Sequence, residues 1–230
     1  MTTATNTFEG GTNGTAVSTG NSGGASGTAF SYIDGPPKYS SLRAAHGNLS
    51  MLIDTVDGGI AGLAMSGSGT RWLRACVWST SWSESFSLMY AEMTSGSYFS
   101  LELGLSSMAL RHYNGTSTTD IATGTVAPAT SQWIRVEMQC ASDASGSAQA
   151  RLFNSVDSTT ASDSISGSRS QTSTTWTQAS WRFTAEADTW FDDVGWSDTD
   201  WLGPATASAS LPPRPMVTGL RQAVHRAAFI

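Results

Sequence analysis

Residues 189–204, with the sequence TWFDDVGWSDTDWLGP, indicate the architecture of the whole chain. The stretch combines four large aromatic residues with four aspartates and ends at a Gly-Pro breaker. Because side chains alternate between the two faces of a strand, it predicts a strand with apolar residues on both faces. Such a strand is expected at the centre of a sheet, where adjacent carboxylates need a cation, backbone amides or access to water. One predicted face holds Trp190, Asp192, Val194 and Trp196, and the other holds Phe191 and Asp193.

The rest of the chain shows the same strand pattern. About a dozen short runs alternate between apolar and polar residues, with turns rich in Gly, Ser and Asn between them. Strands are predicted at residues 7–9, 16–19 and 41–45, among others, and Asn114-Gly115 is a strong hairpin signal. The pattern predicts an antiparallel sandwich or barrel and not a fold built from βαβ units.

Length, composition and charge restrict the function classes. A chain of 230 residues is long enough for one large all-β domain with a full core. Only 13% of the residues are charged, which is typical of extracellular or particle-type β proteins. All 18 acidic residues lie at or before Asp200, whereas three of the 12 basic residues follow it, so a body of net charge about -9 precedes a tail of about +3. The acidic body argues against non-specific binding to nucleic acid.

The composition divides the chain into three parts. Residues 1–204 form the predicted β domain, residues 205–215 (ATASASLPPRP) a Pro/Ala/Ser linker, and residues 216–230 a basic amphipathic segment. A short helix there would be marginal alone in water, so the segment is predicted to dock on a partner. The alternative is a frayed terminus or a cloning remnant. The predicted docking residues are Leu220, Arg221, Val224, His225, Arg226 and Phe229.

Features of the chain also bear on its location. The N-terminal residues MTTATNTFEGGTNG have neither the basic nor the apolar region of a secretory signal, and no run of about 18 apolar residues predicts a membrane span. A virion component that assembles in the host cytoplasm would combine this feature with an extracellular-type composition, as would a processed fragment of a longer chain. Cys76 and Cys140 are predicted to be buried and free, although a disulfide between strands is the alternative.

Four short motifs resemble the concanavalin A-like lectin/glucanase jelly roll in its laminin-G-like variant. They are Phe8-Glu9-Gly10-Gly11, the run QWIRVE at 132–137, the run ARLF at 150–153 and the run WFDDV at 190–194. The resemblance covers residues 7–204 and implies an all-β antiparallel sandwich. Domains of this kind are common in structural proteins of tailed actinobacterial phages, and carbohydrate-binding modules look similar.

The resemblance also implies a structural calcium. In the similar carbohydrate-binding modules, an early Glu and a late Asp often share the ion, which corresponds here to Glu9 with Asp192 and Asp193. Carboxylate and carbonyl oxygens are the ligands that Ca²⁺ prefers. The alternative is that one Asp accepts backbone amides while the other faces solvent.

Catalysis is the alternative that the glucanases of this fold suggest. Retaining glycoside hydrolysis needs two carboxylates about 5 Å apart, and these glucanases carry them in a Glu-x-Asp-x-x-Glu run, which this chain lacks. His46, His112 and His225 are far apart and accompany no nucleophile motif. His112 is predicted to be a half-exposed strand residue. We therefore predict a protein that is not an enzyme and has no catalytic residues.

Exposed aromatic residues can stack on sugar rings, so residues near strand ends or on outward faces are candidate ligand contacts. The alternative is that most of the nine Trp residues fill the core. The candidates are Trp78, Trp82, Tyr113, Trp133, Trp176 and Trp201.

Two functional hypotheses from different classes remain. The first is a virion structural protein, a capsid decoration or minor tail protein, whose jelly roll is anchored to other virion proteins by the C-terminal segment; a homo-oligomer is compatible with it. The second is a carbohydrate-binding module that recognises host cell-surface glycans. A glycoside hydrolase is the less favoured third.

Overall fold

A computed structural model of the chain describes residues 1–55, 58–82, 86–172, 174–183 and 187–205. Within these ranges the structure is all-β, as predicted, and contains fifteen strands and no helix. The strands are β1 (Thr3–Asn6), β2 (Tyr32–Asp34), β3 (Lys38–Ser40), β4 (Ser50–Ile53), β5 (Gly59–Ala64), β6 (Thr70–Ser79), β7 (Phe86–Met93), β8 (Tyr98–Leu103), β9 (Met108–Tyr113), β10 (Thr118–Thr123), β11 (Trp133–Ala141), β12 (Ser147–Phe153), β13 (Asp163–Ser168), β14 (Trp176–Phe183) and β15 (Thr189–Ser197).

The strands form two antiparallel sheets that pack into a sandwich. Sheet A has the order β13-β12-β11-β6-β15-β4-β3, and β1 also pairs with β15. Sheet B has the order β10-β9-β8-β7-β14-β5-β2. Neighbours in each sheet are often distant in sequence, as β6 and β15 are, so the sandwich forms only when long-range pairs assemble.

The inner faces of the two sheets make one hydrophobic core. Phe191 and Val136 of sheet A and Phe99 and Trp181 of sheet B are completely buried. Burial of each such side chain stabilises the fold by roughly 1.5–3 kcal/mol. On β8 the residues Phe99, Leu101 and Leu103 point into this core, so the even-numbered residues of that strand lie on the outer face of sheet B.

Strand β15 is the buried central strand that residues 189–204 predict. All nine of its residues are buried, and one edge pairs with β6. Its other edge is shared: residues 189–191 pair with β4, and residues 194–197 pair with β1. Neither β1 nor β4 pairs with Asp192 and Asp193, so this edge of β15 is split: it has no strand partner at the two aspartates.

Some predicted elements differ from the structure. The first strand is Thr3–Asn6 and not residues 7–9, because the chain turns at Phe8, whose φ is 62° and whose ring packs on Phe30 in the core. Residues 41–45 form a loop, and residues 16–19 contribute only an isolated bridge between Ala16 and Lys38. These segments are short, so tertiary contacts override their strand pattern.

The Asn114-Gly115 turn does join a hairpin, β9–β10, and both cysteines are free and buried. His112 was predicted to be half-exposed, which is wrong: it shares the inner face of β9 with Leu110 and is 1% exposed. No helix in the described ranges is long and apolar enough to cross a membrane. The predicted docking segment lies outside the described residues.

Candidate functional site

A β-bulge in β15 places the two aspartates. The register with β6 shifts between Asp192, which pairs with Cys76, and Gly195, which pairs with Arg74. Asp193 takes a φ of 48°, in the left-handed region that a bulge accommodates. The extra residue reverses the alternation, so Val194 and Trp196 join Phe191 in the core. The predicted faces of this strand were therefore wrong beyond Asp192, because an uninterrupted alternation cannot include the bulge.

Asp192 is held by backbone amides at the split edge of β15. Its Oδ2 accepts hydrogen bonds from the amides of Ala45 at 2.9 Å and His46 at 3.2 Å. Its Oδ1 accepts one from the amide of Asp193 at 2.8 Å. Burial raises the pKa of Asp192 well above its usual range, the charge of Asp193 adds to this, and the three amides act in the opposite direction.

Asp193 is paired with a histidine and does not face solvent. Its Oδ2 lies 2.5 Å from Nδ1 of His46, while Nε2 of His46 lies 3.0 Å from Oδ1 of Asp157. Burial lowers the pKa of His46, but the hydrogen bonds and charges of Asp193 and Asp157 together outweigh burial, so the pKa is raised. The imidazole therefore supplies the counter-charge that a buried Asp193 requires.

Ala45 and His46 begin a loop at residues 45–49, and Glu9 binds the other end of this loop. Its Oε1 accepts hydrogen bonds from the amides of Asn48 at 2.9 Å and Leu49 at 2.8 Å. Gly47 immediately precedes these two residues with a φ of 70°, and a Cβ atom there would come within 2.4 Å of the Glu9 carboxylate. Glu9 follows β1, and the loop at 45–49 precedes β4. The carboxylates of Glu9 and Asp192 both accept amides of this loop and so hold it across the split edge between β1 and β4.

The predicted calcium ligands fit this arrangement poorly. Ca²⁺ needs six to eight oxygen ligands converging on one point, but Glu9 and Asp192 instead receive five N–H donors. Asp193 is directly hydrogen-bonded to His46. Backbone N–H groups carry positive partial charge and do not bind cations, so the chain satisfies these carboxylates with its own donors.

His46, Cys76 and Asp193 also place three metal-type ligand atoms within 4.8 Å of one another. Direct contact between His46 and Asp193 leaves no space for an ion between them, because each metal–ligand bond would be about 2.0 Å. Burial raises the pKa of the Cys76 thiol well above its usual range, so the group stays protonated. We therefore infer that this cluster holds the loop at 45–49 in place and does not bind a metal ion.

Loops cover the outer face of sheet A. Arg135 pairs with Glu137 at 3.2 Å and donates to the carbonyls of Val156 and Ser158, which lie in the loop after β12. Arg74 donates to the carbonyls of Asp193 and Gly203. Burial raises the pKa of Glu137, while Arg135 and other cations oppose the change. A closed polar layer therefore covers this face around Arg74, Arg135 and Glu137.

Most of the predicted sugar-stacking residues are not exposed. Trp78, Trp82 and Trp176 are at most 5% exposed, so the prediction for them is wrong. The indole of Trp82 donates to the carbonyl of Ala129 and that of Trp176 to the carbonyl of Gly69, whereas Trp78 lies beneath the Arg43 guanidinium. Trp82 and Trp176 therefore complete the core, whereas Trp78 lies on the outer face of sheet A, where the Arg43 side chain covers it.

The other three candidates are half-buried and lie on different sheets. Trp133 and Trp201 lie over sheet A, where the guanidinium of Arg151 packs 3.9 Å from the ring of Trp201. Tyr113 lies on β9 in sheet B.

Three tyrosines form a continuous row on the outer face of sheet B. Tyr98 stacks on Tyr113 with ring centroids 4.9 Å apart, and it meets Tyr90 edge-on at 5.2 Å. All three are half-buried. Burial raises the pKa of Tyr98, and the neighbouring tyrosines act in the same direction. We call Tyr90, Tyr98 and Tyr113 the tyrosine row.

Charged groups lie on both sides of the tyrosine row. Arg111 pairs with Glu102 at 2.8 Å and with Asp120 at 2.7 Å. On the other side, the hydroxyl of Ser180 donates to Glu92 at 2.6 Å, beside Arg182. Arg182 makes no hydrogen bond or ion pair with any of the residues that the structure describes. The face therefore offers aromatic surface together with hydrogen-bond donors and acceptors.

Two cavities open on this face. One of about 210 Å³ is lined by Tyr90, Tyr98, Glu92, Ser180, Arg182 and Ile60. Another of about 250 Å³ lies toward the β8–β9 turn, next to Glu102 and Arg111. Sequence inspection identified Tyr113 but missed Tyr90, Tyr98 and the charged residues. The signal was present in the alternation of Tyr, Ser and Glu with core residues on β7 and β8.

No family model and no curated protein sequence matches this chain. Solved structures with the same fold do. An endo-β-1,4-glucuronan lyase from the fungus Trichoderma reesei superposes with a TM-score of 0.55 at 12% identity, covering 85% of this chain and 94% of that one.

The exoplasmic/lumenal domain of VIP36 is similar in two forms. The metal-free form gives a TM-score of 0.54 at 8% identity and covers 86% of this chain and 92% of that one. The Ca²⁺/Man2-bound form gives 0.53 at 8% identity and covers 85% and 87%. At this level of identity the likeness establishes the fold, a concanavalin A-like jelly roll, as the sequence motifs implied.

Proposed function

We propose that this protein is a carbohydrate-binding module without catalytic activity, and that it binds glycans across the outer face of sheet B. The tyrosine row is the observation that supports this most directly. Sugar rings present apolar faces that pack on aromatic side chains, while their hydroxyls hydrogen-bond to polar groups at the edge. Tyr90 and Tyr98 border a cavity that also contains Glu92 and Arg182, so both kinds of contact are available together.

The solved structures of the same fold support a carbohydrate ligand. VIP36 has been solved with Ca²⁺ and Man2 bound, and the Trichoderma reesei protein is a lyase named for glucuronan. In this chain the candidate face is built from strands, so it is rigid before a ligand arrives. A preformed site loses less conformational entropy on binding than one built from loops.

A binding role without catalysis is favoured by where the perturbed carboxyl groups lie. Glycoside hydrolysis needs a general acid whose pKa is raised, next to a second carboxylate. Glu137 and Asp192, whose pKa values are raised, lie in the closed layer on the outer face of sheet A. They have no access to a glycan on sheet B. On sheet B, the carboxylate of Glu102 is engaged in an ion pair with Arg111.

A glycan array with matched variants tests this proposal. Wild-type protein is expected to bind a defined set of glycans, and Tyr113→Ala to lose at least tenfold in affinity, about 1.4 kcal/mol. Trp201→Ala, which removes an aromatic ring from the opposite sheet, is the control and should bind normally. Absence of glycan binding by folded wild-type protein would refute the proposal, as would equal losses in both variants. Release of reducing or unsaturated sugar would show catalysis instead.

Display on a virus particle is a second proposal, and the charge distribution favours it. The acidic residues end at Asp200, and the basic docking segment at 216–230 follows the linker. We propose that this segment attaches the domain to capsid or tail proteins of a phage. A chain ending at residue 205 should fold and bind glycans but no longer join particles. Unchanged incorporation of this shortened chain would refute attachment through the segment.

A further inference from the structure

A third cavity, of about 400 Å³, lies at one end of the sandwich. The β7–β8 turn contributes Ser95 and Ser97, the end of β9 contributes His112 and Asn114, and residues 170–172 form the remaining wall. Its volume falls within the range of roughly 300–1,000 Å³ that is usual for small-molecule sites. It shares no lining residue with the two cavities on the outer face of sheet B.

His112 is fixed at the base of the cavity. Its imidazole packs on Phe99 with ring centroids 4.8 Å apart, and the residue is 1% exposed. The Nε2 atom is buried and has no hydrogen bond of acceptable geometry. A buried polar atom without a partner costs about 1–3 kcal/mol, and a native structure that retains one usually has a reason.

Gln171 presents a second unpaired polar atom beside His112. Its Nε2 donates to the carbonyls of Ala141 at 2.9 Å and Asp143 at 3.0 Å, which anchors the side chain to the β11–β12 hairpin. Its Oε1 is buried and, like Nε2 of His112, has no hydrogen bond of acceptable geometry, because the contact between the two side chains is poorly aligned. Asn114 accepts two turn amides through Oδ1, so its NH₂ group remains available to a ligand.

The cavity lining carries no formal charge. None of its lining residues is Asp, Glu, Lys or Arg. Burial lowers the pKa of His112 and the charge of Arg169 acts in the same direction, while a poorly aligned hydrogen bond with the Gln171 side chain opposes them. The imidazole is therefore neutral at neutral pH. Hydroxyl, carboxamide and neutral imidazole groups together match a ligand that both donates and accepts hydrogen bonds.

We propose that this cavity is a second binding site, separate from the tyrosine row, for a neutral ligand rich in hydroxyl groups and about the size of one sugar unit. One ligand hydroxyl would satisfy His112 Nε2 and Gln171 Oε1, and Asn114 would donate to another. Because the unpaired groups are held by Phe99 and by the β11–β12 hairpin, the site is ordered before binding.

Titration with glucose, galactose and mannose, followed by two-dimensional amide NMR, tests the proposal on the full chain. We expect saturable shifts in residues 95–97, 112–114 and 170–172 with at least one sugar. His112→Phe, which keeps an aromatic ring against Phe99, should weaken that affinity at least tenfold. Ser95→Trp should also weaken it, by filling the cavity mouth without removing a buried group, and so guards against misfolding of the first variant.

Tyr90→Ala, which removes a member of the tyrosine row that does not line this cavity, separates this site from the proposed glycan face. It should leave the shifts around His112 unchanged, even though it weakens binding on sheet B. Ordered water alone in the cavity, with no saturable shift for any sugar, would overturn the inference, as would wild-type affinity in both cavity variants. Loss of cavity binding with intact array binding would refute only this inference, and the reverse result only the proposed function.

Discussion

Nδ1 of His46 lies 2.5 Å from Oδ2 of Asp193, and this pair locks the loop at 45–49 onto the split edge of β15. The side chains are 11% and 3% exposed, so the charge of Asp193 has little contact with water. The same loop gives two amides to Asp192 and two to Glu9. One loop thus provides hydrogen-bond donors to three carboxylates: Asp192 and Asp193 of β15, and Glu9, which follows β1.

Replacement of His46 should destabilise the fold strongly. His46→Ala leaves Asp193 buried without its partner, and loss of one member of a buried pair typically costs about 3–5 kcal/mol. Urea unfolding measures this change. Asp157→Asn is the matched control, because Asp157 contacts the same imidazole but its side chain is 71% exposed, so the cost should stay below about 1 kcal/mol. Equal costs would contradict the role assigned to Asp193.

The contribution of His46 should depend on pH. Its pKa is raised in the folded state, so the folded protein holds a proton that the unfolded chain releases above its ordinary pKa of about 6.5. The stabilisation is complete below that pH and is lost as the pH rises through the folded pKa. The difference in unfolding free energy between wild type and His46→Gln should therefore shrink from pH 6 toward pH 9.

His112 should act in the opposite direction and provides an internal check. Its pKa is lowered, mainly by burial, so its contribution is lost as the pH falls below about 6.5. Relative to His112→Phe, the wild-type protein should lose stability on acidification. The same slope for both histidine variants would contradict the assignment of a charged His46 and a neutral His112.

Gly47 should resist substitution more than other turn glycines do. Gly47→Ala forces a Cβ atom against the Glu9 carboxylate and also places alanine in the left-handed region. Gly14 has a φ of 79° and no neighbour within 4 Å of such a Cβ, so Gly14→Ala incurs only backbone strain of about 1–2 kcal/mol. Thermal unfolding should show the larger loss for Gly47→Ala. Equal losses would mean that Glu9 does not hold the loop in place.

Calcium should have no effect on stability at this position. The Glu9 and Asp192 oxygens that would coordinate the ion already accept backbone amides. A ligand that binds only the folded state raises the unfolding temperature as its concentration increases. We therefore expect equal unfolding temperatures in excess calcium and in excess chelator. A rise that is lost in Glu9→Gln would show that calcium displaces the loop donors.

Local sequence patterns predicted much of this architecture because a strand with one buried face alternates apolar and polar residues along the sequence. The run at 132–137 alternates core residues with outward residues, as observed in β11. Asn114-Gly115 joins the β9–β10 hairpin that it predicted. The edge strands β2, β3, β10 and β13 were not predicted, because edge strands bury few residues and so show weak alternation. Trp78 and Tyr113 were both chosen as exposed rings, but only the position of each in its sheet separates a buried ring from an accessible one.

The sequence by itself determined an antiparallel all-β fold, a central buried strand at residues 189–197 and the end of the acidic body at Asp200. These features depend on composition and on the order of residues along the chain, and they require no contact between distant segments. Tertiary structure alone decided how the Asp pair is satisfied, because the bulge at Asp193 and the loop carrying His46 meet only when strands distant in sequence pair. It also decided which outer face is open, since the loops that close sheet A come from three separate parts of the chain.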